Sequence, residues 1–197
     1  MSYTLFVDSG ANLPFRKLQE FNIRVISFPM VIDGQATESP KYPDGFDGHQ
    51  FYSRLKAGGQ VQTSLINMET FCAEFRPVLE AGEDVMYVGI SSGITGTVQC
   101  ARLAAAELMD EFPDRQVRVV DSKGAGLGTG ILALRAADYR NDGLTVTQAA
   151  IKLQYDVENL CEYFTVDDLM FLRRTGRLSG AAAAIGTMLQ IKPMLRG

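Results

Sequence analysis

Short runs rich in Val and Ile alternate with helical stripes along almost the whole of this chain, and that alternation restricts its fold more than any other feature. Residues 3–7, 84–90 and 117–120 read as strands. A fourth β-rich run, residues 23–32, is interrupted by Pro29 and stops at the turn Asp33-Gly34. Between them the apolar spacing predicts a helix ending near residue 21, then helices over 50–56, 68–79 (with Pro77 late in it) and 131–139. Val98, Ala101, Ala105, Leu108 and Phe112 fall at spacings of 3, 4, 3 and 4, which makes one buried helical stripe. Val146, Ala149, Leu153, Val157 and Leu160 make another, before a strand at 163–166 and helices at 167–173 and 181–190. Residues 37–48, rich in Pro, Gly and Asp, read as a loop. Strands separated by helical spacing predict an α/β fold, a mostly parallel sheet with helices on both faces. The sheet domain is expected over residues 1–160, with residues 161–197 the start of an incomplete second α+β domain.

In such sheets ligands bind beyond the carboxyl ends of the strands. Three polar turns fall at that edge: 8–12, 91–97 and 121–130. The middle one, GISSGITGT, carries glycines and four hydroxyls (Ser91, Ser92, Thr95 and Thr97) and no charge. Glycines let a backbone approach a ligand, and helix-start N–H groups with hydroxyls offer donors to an anion. A phosphate loop of the Walker type needs Gly-Lys-Ser or Gly-Lys-Thr, and this chain contains no Gly-Lys. Neutral donors suit a single carboxylate better than a triphosphate with magnesium. An ordinary capped turn, with Thr95 or Thr97 as cap, reads equally well from this segment alone.

Other features point to less. The stretch GAGLGTG (124–130) fits a relaxed dinucleotide fingerprint, but no acidic residue ends a following strand at the right distance. Glycines that let a helix pack closely account for it. His49, the only histidine, reads as a residue of a Pro/Gly/Asp loop with no clear nucleophile partner. The three cysteines, Cys72, Cys100 and Cys161, are widely spaced, form no metal-ligand pair, and read as small buried hydrophobes. Asp167-Asp168 read as helix-start carboxylates. No metal site and no cofactor are expected. Net charge is −4, too acidic for a dedicated nucleic-acid binder. No apolar run approaches the roughly 18 residues of a membrane span, and the opening MSYTLFVDSG has no basic region or cleavable apolar segment. A reducing cytoplasm is therefore the expected setting, without membrane insertion. Residues 171–197 depart from the general balance, with four Arg, one Lys and no acid. Arg173, Arg174 and Arg177 there read either as a solvated loop or as a docking site for an acidic partner or phosphate.

Several of these segments recur together in an order that resembles the DegV family. DSGANLP resembles its Asp-Ser-x-x-x-Leu-Pro opening, and QTSLIN (62–67) its Thr-Ser-Gln-Pro-Ser segment. GISSGITGT, VVDSKGAGLGTG, VDDLMFLRRTGRLS and IKPML resemble four further family motifs in the same order. The resemblance implies a long-chain fatty acid as ligand and no catalysis by the chain itself. It implies that Thr63 and Ser92, with Ser91 as second choice, hold the carboxylate, with Ser64 beside them and backbone N–H groups around Gly93–Thr95 helping. It also implies that the bound acyl group is presented to a separate ATP-dependent fatty acid kinase subunit, with Arg173, Arg174 and Arg177 at the docking rim. This chain has Leu65, Ile66 and Asn67 in place of the family's Gln-Pro-Ser. It ends just after Lys192-Pro193, where family members continue through a lipid-covering domain, so the second domain is expected to be truncated. A different class is also compatible with the pattern: a phosphotransferase of dihydroxyacetone-kinase-like fold acting on a small anionic substrate, for which only His49 is available.

Overall fold

The computed structural model describes residues 3–166 and 194–196. β1 (Tyr3–Asp8) runs through a 3-10 turn (Ser9–Ala11) into α1 (Phe15–Glu20) and β2 (Ile23–Ile26). The chain then makes an excursion through β3 (Pro29–Ile32), β4 (Gln35–Glu38), α2 (Gly48–Lys56) and β5 (Val61–Thr63). It returns through α3 (Met68–Glu80) to β6 (Asp84–Gly89), followed by α4 (Thr97–Glu111), β7 (Val117–Asp121), α5 (Leu127–Asn141) and α6 (Val146–Asn159). β8 (Tyr163–Thr165) and β9 (Met194–Arg196) pair antiparallel. Two compact units result, Met1–Asn159 and Leu160–Gly197.

The main sheet has the order β2-β1-β6-β7, and every pairing in it is parallel. Leu5 sits level with Ile23 on one side and Met86 on the other, and Val88 with Val120. The fold class expected from the alternation is thus the one found. The chain leaves β1 toward β2 on one side and comes back to β6 on the other. The reversal makes the crevice beyond the carboxyl ends of β1 and β6 the place where such sheets receive ligands.

Helices cover both faces, and the two-residue period of the strands shows which. Phe6, Val85, Tyr87 and Val117 join Phe71 and Phe75 of α3 and Ala101, Ala105 and Leu108 of α4 in one buried cluster. Phe6 and Phe75 stack with ring centroids 5.1 Å apart, Phe71 and Tyr87 at 4.9 Å. Tyr3, three residues from Phe6, points the other way, and its hydroxyl donates to the Ala136 carbonyl of α5. Burial pushes the Tyr3 phenol up to about 12. Arg118, next to Val117, likewise reaches Thr147 of α6. β1 and β6 are buried at every position, which is why they read as continuous apolar runs rather than alternating ones.

The run 23–32 divides. Ile23–Ile26 joins the main sheet, and Pro29 starts β3 of a separate antiparallel sheet of order β4-β3-β5. Proline has no N–H to give a central ladder, so it stands at a strand's first residue. β4 and β5 lie where a loop and no element were expected. Helix α5 starts at Leu127 rather than 131, because Gly128 and Gly130 of GAGLGTG belong to its first turns. A Cβ on Gly130 would stand 2.8 Å from the Ala11 carbonyl, so the helix seats itself against the β1 turn only without a side chain there. The cysteines correct an expectation as well: Cys72 and Cys100 are half-buried and Cys161 is exposed. The expected helices at 167–173 and 181–190 lie outside the described residues.

Candidate functional site

Asp8, the last residue of β1, organises the carboxyl edge. Its side chain is fully buried. Oδ2 accepts from the Tyr87 hydroxyl at 2.7 Å and from the Ile90 N–H at 2.9 Å, and Oδ1 accepts from the Gly10 N–H at 3.0 Å. One carboxylate therefore holds both the turn after β1 and the turn after β6, across the point where the chain reverses. Burial raises its pKa, against the lowering effect of those three donors. The same burial, with the Asp8 charge beside it, raises Tyr87 well above the ordinary phenol value. A buried acid is tolerated only when its lone pairs are occupied, and here they are.

From that anchor the 91–97 turn is wound on its own backbone. The Ser91 N–H donates to the Gly124 carbonyl at 2.8 Å. The Gly93 N–H donates to the Ser91 hydroxyl at 3.1 Å, and those of Ile94 and Thr95 to the Ser91 carbonyl at 2.9 and 3.3 Å. The Ser92 N–H donates to Asp121 Oδ1 at 3.1 Å. The expected backbone donors at Gly93 and Thr95 are thus already engaged within the turn, and this is a corner closed on itself rather than an open nest for an anion. What it leaves outward is hydroxyl: Ser92 is exposed, and its Oγ has no partner among the described residues, while Ser91 Oγ accepts one bond and keeps its own hydrogen. Neither Thr95 nor Thr97 sits at the cap position of α4, which falls on Gly96. Thr95 Oγ1 instead accepts from the Thr97 N–H at 3.3 Å.

Thr97 has a different task, which the sequence pattern does not disclose. It is fully buried, and its hydroxyl accepts from the Ile66 N–H at 3.3 Å and lies 2.9 Å from Thr95 Oγ1. Ile66 belongs to the QTSLIN segment, so this bond ties that segment to the 91–97 turn. A Cβ on Gly96 would meet Leu65 at 3.4 Å, a second sign of their contact. Thr63 ends β5 opposite Met30, and the Ser64 N–H donates to the Pro29 carbonyl at 3.0 Å. Both residues are exposed, and their hydroxyls have no partner among the described residues. Thr63, Ser64, Ser91 and Ser92 are therefore on neighbouring segments, each with a hydroxyl hydrogen left to donate, and exposed Leu65 and Ile94 supply apolar surface in the same two segments.

The third turn locks onto the second. Asp121 Oδ1 takes the Lys123 N–H at 3.1 Å as well as that of Ser92. The buried Ser122 hydroxyl lies 2.9 Å from Thr129 Oγ1 and accepts from the Gly124 N–H at 3.2 Å. The sequence signals for these positioning groups were present: an Asp closing an apolar strand, and a Thr at the first helical residue. Each allows several roles that only the fold separates. His49 lies exposed in the first turn of α2 rather than in the expected loop, because Asp47 caps the helix just before it. Arg173, Arg174, Arg177 and Asp167-Asp168 lie outside the described residues. Among the described residues no three of His, Cys, Asp and Glu come together as a metal site, and no helix is long and apolar enough to cross a membrane.

Comparison with known proteins bears on the whole chain. The family model for DegV, described as an uncharacterised protein family, matches residues 2–197. A DegV domain-containing protein of Clostridium perfringens is 34% identical over 197 residues, covering 98% of this chain and 66% of that protein. A Thermus thermophilus DegV family protein, described by its fatty acid binding, superposes with a TM-score of 0.82 at 30% identity over 100% of this chain and 68% of its own. DegV of Bacillus subtilis, described as a fatty acid binding protein, gives 0.81 at 29% identity with the same coverage. The chain spans about two thirds of the length of these relatives.

Proposed function

Because this chain belongs to the DegV family, we propose that it binds one long-chain fatty acid, its carboxylate on the hydroxyls of Thr63, Ser64, Ser91 and Ser92. The observation that carries this reading is the set of hydroxyls with a hydrogen left to donate on two segments that Thr97 ties together, with exposed Leu65 and Ile94 beside them. A carboxylate accepts several hydrogen bonds and needs them when it leaves water. Each methylene taken out of water contributes about 0.8 kcal/mol, so the acyl chain supplies affinity and the hydroxyls supply orientation. The fatty acid binding described for the Thermus and Bacillus relatives supports the same ligand class. Nothing in the site pairs a nucleophile with a base, and the reading assigns the chain a carrier role without catalysis.

The reading extends to a partner. A carrier that leaves a carboxylate at a rim suits an enzyme that must reach it, and an ATP-dependent fatty acid kinase subunit is the partner we propose. Arg173, Arg174 and Arg177 would steer it, given the unbroken positive charge of residues 171–197.

Organic extraction of the purified protein, with mass spectrometry of the released lipid, tests the ligand. A fatty acid is the expected product; a nucleotide or sugar phosphate would refute the reading. Ser92→Ala is expected to weaken palmitate binding about tenfold, the loss of one hydrogen bond to a charged group. Unchanged affinity in both Thr63→Ala and Ser92→Ala would remove these residues from the site. With a kinase subunit present, Arg177→Glu is expected to slow phosphorylation of bound lipid and to leave lipid affinity as it was.

A further inference from the structure

Four non-glycine residues among those described have positive φ: Asn12, Asn22, Asp33 and Lys123. Asn and Asp visit that region readily because their short polar side chains bond locally, and a long side chain rarely does. Lys123, at φ 52°, is the exception. A glycine would hold the same turn without strain, so the side chain invites a reason of its own.

Its position supplies one. Lys123 stands two residues after Asp121, which accepts from the Ser92 N–H, and directly before Gly124, whose carbonyl accepts from the Ser91 N–H. The two serines with outward hydroxyls are therefore bonded to residues two before it and one after it in the chain. Its side chain is exposed and forms no ion pair with a described residue. The turns after β1, β2, β6 and β7 contain no other Lys or Arg, and neither do residues 64–67. The same edge does contain two acids, Asp8 and Asp121. An anionic headgroup on Ser91 and Ser92 would meet those two like charges with only neutral hydroxyls to hold it, and like charge disfavours the ionised form.

We infer that Lys123 is a binding residue of this site: its ammonium supplies the positive charge for the ligand carboxylate, which the 91–97 turn itself lacks. The inference rests on the fatty-acid reading and adds to it a charge requirement. A Lys suits this place because it delivers a point charge on a flexible stem from a turn fixed by backbone bonds.

The experiment compares wild type with Lys123→Gly and Lys123→Arg in three measurements: palmitate affinity, hexadecan-1-ol affinity and the thermal unfolding midpoint. The alcohol has the same chain and no charge. Lys123→Gly is expected to raise the unfolding midpoint, because the turn is relieved, while palmitate affinity falls about tenfold and hexadecanol affinity holds. Lys123→Arg, which keeps the charge, is expected to bind palmitate within about threefold of wild type. Lys123→Gly binding palmitate as wild type does, or losing both lipids equally, overturns the charge role and leaves the fatty-acid reading standing. Wild type that binds neither lipid overturns the fatty-acid reading, and this inference falls with it.

Discussion

β1 and β6 bury every side chain they carry, whereas β4 exposes all four of its own and β5 buries none fully. The two sheets divide the candidate site between them. Ser91 and Ser92 hang from the main sheet, through Asp8, Gly124 and Asp121. Thr63 ends a strand of the small sheet and Ser64 follows it, and the neighbouring helix α2 has no buried residue. Among the described residues, two hydrogen-bonded ties flank that sheet. One is the bond from the Ile66 N–H to Thr97; at the other, the Phe28 N–H is shared between Ser9 and Ser39, whose hydroxyls lie 2.5 Å apart. One wall of the site is therefore stiff, and the other is held by these few hydrogen bonds and by buried Phe28, Met30 and Ile66 at its margin. Such low-burial segments open at lower free energy than the core, which suits the proposed entry of a long acyl chain.

The comparison predicts where substitution hurts most. Asp8→Ala leaves Tyr87, Ile90 and Gly10 without their acceptor, and orphaned buried donors cost about 1–3 kcal/mol each. A loss of about 3–5 kcal/mol in urea unfolding is expected, and a loss below about 1 kcal/mol would mean that the main-sheet edge is no stiffer than the small sheet. Asp8→Asn sharpens the point through pH. Burial raises the Asp8 carboxyl above its ordinary 3.8, so the native state takes up its proton before the unfolded chain does. The stability from that uptake is full below pH 3.8 and is lost as pH rises through the native value. The Asn variant cannot titrate there. Wild type should therefore gain on Asp8→Asn as pH falls from about 7 toward about 3, read as the difference in urea midpoints. A difference that grows with rising pH would contradict the burial argument.

Thr97→Val comes next. Valine fills the same volume and cannot accept, so the Ile66 N–H loses its tie to the other segment. About 1–2 kcal/mol of stability is expected to go. Hydrogen exchange at Ile66 should quicken, and palmitate affinity should fall although Thr97 itself is fully buried. Unchanged affinity would show that Thr63 keeps its place without this bond. Ser39→Ala should do less, under about 1 kcal/mol, because the Phe28 N–H keeps Ser9 as acceptor.

The same contrast separates what was legible in the sequence from what was not. Strands buried on both faces announce themselves as apolar runs, and residues 3–7 and 84–90 needed no further context; the partly buried run 117–120 was legible from its valines. The stripe from Val98 to Leu108 was legible for the same reason, since burial dictates its period. β4 and β5 were not, because QATE and VQT owe their pairing to neighbours rather than to a buried face. Pro29 misled only about continuity: it marks a change of sheet within what reads as one run. At the site, the outward hydroxyls could be named from the turn, because a glycine-rich corner after a strand exposes its side chains. The employment of Gly93 and Thr95 could not, since whether an N–H faces a ligand or its own turn depends on a few dihedral angles. Nor could Asp8 and Thr97, whose partners lie 82 and 31 residues away in the chain.

The smallest effect is expected at the outer end of the small sheet. Arg54 pairs with Asp33 across the surface, its Nε 2.7 Å from Asp33 Oδ2. Asp33 Oδ1 also accepts from the Gln60 N–H at 2.7 Å, and that bond, followed by the Arg54 contact, lowers the Asp33 pKa. Arg54→Ala removes the ion pair and leaves the Gln60 bond in place. The pair is solvent-exposed, so its attraction is screened and the entropy of holding two side chains offsets much of it. The global unfolding midpoint should therefore stay within error of wild type, and hydrogen exchange at Gln60 should be nearly unchanged. Palmitate affinity should hold too, because Arg54 touches none of the segments that carry Thr63, Ser64, Ser91 or Ser92. A global loss as large as that of Thr97→Val would mean that the small sheet unfolds with the main one as a single cooperative body. The difference between a stiff wall and a yielding one would then vanish, and with it the reason to expect Thr97 to act on binding through Thr63.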